Sequence, residues 1–271
     1  YFPPMGGAGT QRSAAFARHL PELGYEPVVV CGGERRPGPH TIAHDPTLLA
    51  GLPPTMAVTR VPAIERQRPA RRDRWHPARL VVSSRELAWA RRAADAAVFA
   101  ARRHDATAIL VSASPWACGL AVADLRQRSG RPVVLDLRDP WALDGWRAFR
   151  TPLHRRLDRA LMRRSLRAAD LVVANCPRAA AAYRALAGLP AERVVTIPNG
   201  FEAAEFPARR RHVRTARPAD PATPFRVVHM GTLHDPDPRT ARRGPFAGDR
   251  LAHHLRSGRT LLRAAGRLRR E

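Results

Sequence analysis

The stretch VVLDLRDPW, residues 133–141, decides the fold. Apart from Asp136, its first five residues are apolar, the pattern of a short strand buried on both faces. Upstream lie a helix expected over about residues 115–128 and the apolar strand ATAILVSAS, residues 106–114. Downstream, the Arg-rich helix TPLHRRLDRALMRRSLRAAD, residues 151–170, delivers the chain to LVVAN, residues 171–175. A further helix over about 177–187 leads to RVVTIPNG, residues 193–200. Strands alternating with helices at this pitch imply a doubly wound parallel sheet.

The alternation continues toward the N-terminus. A helix is expected from Ser84 to Arg103, with Leu87, Ala90, Ala94, Val98 and Ala101 on one stripe. Before it, RQRPARRDRWHPARL, residues 66–80, reads as exposed and mobile, and AVTRVPAI, residues 57–64, as a weak strand. Residues 32–57 form a long Pro-, Gly- and His-rich loop after the buried-type strand PVVVCGG, residues 27–33. The first helix covers about Thr10 to Leu23, with Phe16, Leu20 and Leu23 at i, i+4, i+7 and Gly24 as its stop. A fold of this kind normally begins with a strand, so Tyr1 and Phe2 are read as the last residues of one, and the chain as starting inside it.

Texture changes after Gly200. Residues 203–223 carry Arg209, Arg210, Arg211, Arg214 and Arg217 among prolines with little apolar periodicity, as a linker does. PFRVVHMGTL, residues 224–233, opens a second domain over 224–271 that ends in a helix at about 260–270. One strand and one helix cannot close a core, so this domain is expected to be incomplete. Residues 1–202 then form the first domain.

Composition narrows the class. At 271 residues and 44% hydrophobic, the chain can bury a substantial core, and no apolar run approaches a membrane-spanning helix. The formal charge is +24, yet all 47 basic residues are arginine and lysine is absent, which matches a GC-rich coding bias. Dispersed, solvated arginines account for most of the charge, which still favours phosphates, nucleotides or an acidic membrane face. Cys31, Cys118 and Cys176 fit neither a disulfide framework nor a zinc site, and each is expected as a buried free thiol in a reducing cytoplasm. The eleven histidines show no metal-ligand spacing, and no metal is expected.

Several strand ends could carry chemistry. In PMGGAGTQR the glycines allow φ > 0 and bring backbone N–H groups, with the helix dipole behind them, toward a phosphate. It is neither a dinucleotide fingerprint, since Arg12 takes the third glycine position, nor a P-loop. A bare strand-to-helix turn would use the same glycines. Asp136, Arg138 and Asp139 sit at the C-terminal end of a parallel strand, where open α/β sheets place ligands. A carboxylate there can orient a sugar hydroxyl or act as a base, and Arg138 can pair with it or with a phosphate. A self-contained Arg–Asp bridge would use them as well. Ser112 and Ser114 could bind ligand or, as the simpler role, cap the helix after Pro115. Asn199 and Gly200 make a tight turn.

Taken in order, YFPPMGGAGTQR, ILVSASPWACG, LDLRDPW, AADLVVANCP, VVTIPNGFEAAEF and VVHMGTL resemble the family 4 glycosyltransferases, up to about Leu233. The resemblance implies a GT-B architecture: a Rossmann-like acceptor-side domain facing a nucleotide-sugar domain. It implies transfer of a sugar from a nucleotide diphosphate sugar, with retention of configuration and no cofactor or obligatory metal. Gly6, Gly7 and Gly9 would form the loop near donor phosphates and acceptor, with Arg12, Ser114, Asp136 and Arg138 as further substrate-side groups. Asp139 would be the acceptor-side polar or catalytic group, Asn199 and Gly200 the hinge, and Gly231 the first donor-domain loop. Arg259 would be a phosphate ligand. The family's paired acids lie beyond Glu271, so this chain is expected to be an inactive fragment of a transferase.

The acceptor would be an envelope, polysaccharide or secondary-metabolite molecule, sugar or lipid-linked. The enzyme would be cytoplasmic, with peripheral contact at the anionic inner face of the membrane and no specific nucleic acid. Two alternatives remain from the same residues. One is a basic Rossmann-like binding module for anionic membrane or nucleic acid, using segments such as Pro69 to Arg79 and Leu153 to Arg167. The other is a different GT-B enzyme such as a nucleotide-sugar epimerase.

Overall fold

The computed structural model describes residues 1–33, 44–145, 147, 149–202 and 266–267. In chain order its main elements are α1 (Ala8–His19), β1 (Val29–Gly32), β2 (Val58–Val61), α2 (Arg71–Trp75), α3 (Ser84–Arg103), β3 (Ile109–Ser112), α4 (Ala117–Leu120), α5 (Val122–Ser129), β4 (Val133–Leu137), α6 (Pro152–Ala168), β5 (Leu171–Ala174), α7 (Pro177–Ala187) and β6 (Val194–Thr196). Strands β3, β4, β5 and β6 make a parallel sheet in that order, and β1 and β2 a separate parallel pair. Asp136 of β4 stands opposite Ser112 of β3 and Val173 of β5.

Contacts divide the chain into two units, one of Tyr1–Asp144 with Thr151–Gly200, the other of Gly145–Arg150 with Phe201–Glu271. In the second, Arg147 stacks on Phe149, 5.2 Å from the ring centroid, and Gly266 and Arg267 are helical. The expected linker and second-domain strand lie outside the described residues.

Strands β3 to β6 share one core with the helices that cover them, and smaller clusters lie around Val61 and Trp89 and around Phe2 and Cys31. Val133, Leu135 and Leu137 of β4 are fully buried with Val172 and Ala174 of β5, covered by Met162 and Leu166 of α6 and Tyr183 of α7. α3 runs over the expected residues, and its stripe of Leu87, Ala90, Ala94, Val98 and Ala101 is buried. A reciprocal cap starts it: Glu86 N–H donates to Ser83 Oγ, and Ser83 N–H to Glu86 Oε2. The Asp170 carboxylate ties β4 to α5, accepting from Val133 N–H (2.9 Å) and Arg126 Nε (3.0 Å).

Burial opposes ionisation of Asp170, but the Arg126 and Val133 hydrogen bonds outweigh it and hold the carboxyl below its ordinary value. A depressed folded value means that the stabilisation is complete above the unfolded value, about 4. It fades as pH falls through the lower folded value. Asp170→Asn should therefore lower the thermal midpoint at neutral pH, and the difference from wild type should close on acidification below pH ~4, measured by circular dichroism melts.

Five expectations need correction. The buried side of α1 is Thr10, Ala14 and Ala17, whereas Leu23 is 72% exposed. Small side chains let this helix sit close to Phe2 and Cys31, which large ones would push away. The helix expected over 115–128 breaks between α4 and α5, where Ala121 N–H donates to Cys118 O three residues back. Residues 66–80 are exposed for the most part, as expected, but they are held at three buried anchors, Gln67, Asp73 and Ala78. Asp73 is buried, caps α2 through the Ala70 N–H (2.7 Å), and pairs with Arg91 of α3. Tyr1 and Phe2 are in no strand of the structure; Phe2 is buried against Ala17 and Cys31. Finally, Cys176 is exposed at the start of α7 and Cys118 is half-buried, while Cys31 is buried. Burial also pushes the Cys118 thiol up to about 12.

Candidate functional site

The glycine turn and the C-terminal edge of the sheet meet at one guanidinium. Gly7, at φ +91°, starts α1 in a backbone conformation that favours glycine, and no side chain caps that end. Thr10, fully buried, donates its hydroxyl to Gly6 O at 3.2 Å and locks the turn. One turn later Arg12 reaches the end of β4. Its Nε lies 3.2 and 3.0 Å from the two carboxylate oxygens of Asp136, and its Nη2 is 2.8 Å from Oδ1.

The rest of the same guanidinium holds the segment that leaves β6. Nη2 donates to Ile197 O (3.0 Å), and Nη1 to Pro198 O (3.2 Å) and Asn199 Oδ1 (3.3 Å). The Phe16 ring lies under its other face at 5.1 Å. Arg12 and Asp136 are 7% and 0% exposed, so a central-strand carboxylate is tolerable only because this arginine neutralises it. All the N–H groups of Arg12 are engaged within the protein.

A second pair faces outward beside the first. Arg138 Nη2 is 2.7 Å from Asp139 Oδ2, with Asp139 44% exposed. Gly9 is what lets Arg138 lie there: a Cβ on residue 9 would overlap its Nη1. Asn175, at the end of β5, donates its amide to Arg138 O and anchors the backbone of this turn. The structure thus brings Gly6, Gly9, Arg12, Asp136, Arg138 and Asn199 into linked contacts, with Asp139 on their outer edge. Gly200 ends the first unit. Gly231 and Arg259 lie outside the described residues.

Ser114 departs from its simpler expected role. The residue before α4 is Trp116, with no side-chain cap, and Ser114 instead donates its backbone N–H to Ser112 O.

Two residues that the sequence analysis assigned no role shape the same edge. Trp141 is fully buried at φ +43°, a strained conformation for a bulky side chain. Its Nε1 donates to buried Asp158 of α6 (3.0 Å), and its ring stacks on Trp116 at 5.8 Å with planes 6° apart. Gly119 of α4 leaves the space for that ring. Tyr183 of α7 is fully buried, and its hydroxyl has no hydrogen-bond partner among the described residues. Burial, helped by the charges of Cys176, Asp139 and Asp136, raises the phenol above its usual value. Tryptophan directly after a strand-ending Asp-Pro is a sequence signal for the first; nothing marks the second.

Among the described residues no three His, Cys, Asp or Glu side chains are grouped to hold a metal, and no helix is long and apolar enough to cross a membrane.

A parallel, Rossmann-like α/β unit with its polar groups gathered at the carboxyl ends of the strands is of the doubly wound class, a fold whose ligands generally sit at that edge. The family model described as Glycosyltransferase Family 4 matches residues 6–205, about three quarters of the chain. The chain belongs to that family and is a glycosyltransferase by family. A search of curated proteins found no match.

Proposed function

We propose that this chain supplies the acceptor-side part of a retaining, GT-B-type transferase that moves a sugar from a nucleotide diphosphate sugar to a sugar or lipid-linked acceptor. The observation that carries the proposal is the Gly9–Arg138–Asp139 contact: a phosphate-compatible turn set directly against an exposed, arginine-paired carboxylate. Gly6, Gly7 and Gly9, with the uncapped end of α1, suit donor phosphates, because first-turn N–H groups and the helix dipole both attract an anion. Arg138 is the adjacent guanidinium for phosphate charge, and its departure from Asp139 would free that carboxylate to orient or deprotonate an acceptor hydroxyl.

Arg12 and Asp136 act one step back, fixing the turn to the sheet and to Asn199 at the approach to Gly200. Gly231 and Arg259 are assigned to substrate binding on resemblance alone, and Ser114 on its hydroxyl just past the end of β3. The donor serves as substrate, with no separate cofactor or metal, in a cytoplasmic enzyme.

Incubating the gene product that carries this chain with a panel of nucleotide sugars and candidate acceptors tests the reading. Release of nucleoside diphosphate, with product NMR showing the donor's anomeric configuration, is the expected result. An inverted product would exclude the retaining mechanism, and absence of transfer across the panel would count against the transferase itself.

A further inference from the structure

Residues 66–80 form an anchored platform on the first unit. Its inner side is fixed by buried Asp73, by Gln67 donating to Pro62 O and Ala63 O, and by Ala78 among Val81, Val82 and Leu87. Arg79 closes it from outside, donating to Arg74 O at 2.7 Å. What the anchoring leaves in solvent is Trp75, 75% exposed, with Leu80 and the exposed Arg71, Arg72, Arg74 and Arg79. Asp73, the acid in this segment, is turned inward and neutralised.

The platform continues onto α6, against which residues 77–80 pack. Leu153, Leu157 and Leu161 share one stripe of α6. The last two join the core beneath the platform, and Leu153 runs out past its edge, 67% exposed. Arg156, three residues on, is exposed beside it, and the one acid of the helix, Asp158, is buried with Trp141.

Three large apolar side chains held in water among arginines fit one partner best. Nucleic acid would engage the guanidinium groups and could stack on Trp75, but Leu80 and Leu153 would gain nothing from it. At a bilayer surface every component is used: phosphates take the arginines, the indole lies at headgroup depth, and the leucines enter the acyl boundary. We infer that the face made by residues 71–80 and the N-terminal half of α6 docks on an anionic phospholipid bilayer. The inference deepens the membrane-side aspect of the proposed function but does not rest on transferase activity, and no sugar substrate enters its test.

The full chain is sedimented with phosphatidylglycerol–phosphatidylcholine vesicles and with phosphatidylcholine vesicles at physiological ionic strength. Binding is expected to the first and not the second, with a blue shift of tryptophan emission that Trp75→Phe abolishes. Trp75→Ser with Leu153→Ser should weaken partition about tenfold. Arg71→Gln with Arg72→Gln should weaken it by about fivefold per arginine, while Arg103→Gln with Arg178→Gln, away from the face, should leave it within about twofold. All these side chains are exposed, so the melting midpoint should not move, and the emission shift needs only the wild type and Trp75→Phe. Equal binding to neutral vesicles, equal loss in the Arg103/Arg178 control, or an emission shift that persists without Trp75 would each overturn the inference. So would tighter binding to single-stranded RNA than to anionic vesicles that Trp75→Ser with Leu153→Ser leaves unchanged.

Discussion

Arg12→Ala is expected to destabilise the first unit by about 3–5 kcal/mol, because it strands the fully buried Asp136 carboxylate without its counter-charge. For a unit of this size that is a fall of roughly 10 °C in the thermal midpoint. Asp136→Ala should cost a comparable amount from the other side, leaving a guanidinium that is 7% exposed beside an empty strand position. The double alanine variant should lose clearly less than the sum of the two, since neither charge is then left alone. Arg12→Lys should behave nearer to alanine than to wild type. An ammonium cannot span a carboxylate, two backbone carbonyls and Asn199 at once, as the planar fork does. A midpoint within a degree or two of wild type for Arg12→Ala would mean that Asp136 is not charged and buried as described.

Trp141→Ala is the second large effect, about 3–5 kcal/mol, set by the cavity left by a fully buried indole. The same change takes the Nε1–H donor from buried Asp158. Trp141→Phe separates the two terms, because it keeps most of the stacking on Trp116 and forfeits the hydrogen bond, for a loss of about 1–3 kcal/mol. Gly119→Ala supplies the complementary test. A methyl group there comes within 2.7 Å of the Trp141 ring, so it should be costly in wild type and cheaper in a Trp141→Ala background. Chemical denaturation of the four proteins measures that coupling, and strict additivity would show that the two residues do not touch.

Much of this fold is legible in local pattern. The stripe of α3 is strong because its buried positions recur at helical spacing and Ser83–Glu86 marks its start. Strands β3 to β6 are short apolar runs at the pitch that parallel crossovers require. The failures share a physical cause. The contact side of α1 is Thr10, Ala14 and Ala17, small residues with little hydrophobic signal, while Phe16 is occupied under the Arg12 guanidinium. Residues 66–80 look unstructured because their one structuring charge, Asp73, is matched by Arg91 from another helix, a tertiary fact.

The site divides the same way. Glycines before a helix and carboxylates at a strand end were readable one by one, as was an Arg–Asp bridge at the end of β4, with its carboxylate left open between Asp136 and Asp139. That Arg12 takes Asp136 across 124 positions of chain, leaving Arg138 to Asp139, depends on the packing of α1 over the sheet edge. Ser114 misled because α4 starts two residues later than a serine–proline start would place it.

The central claim is that Asp139 acts while Arg12 and Asp136 hold. Nucleoside diphosphate release from the donor, in the presence of acceptor, by the gene product carrying this chain tests it most directly, with melting midpoints recorded on the same samples. Asp139→Asn is expected to reduce the rate by about 10²-fold or more with the midpoint nearly unchanged, since an exposed pair adds little stability. A rate that survives Asp139→Asn, or one that falls only in step with the midpoint, would contradict the account.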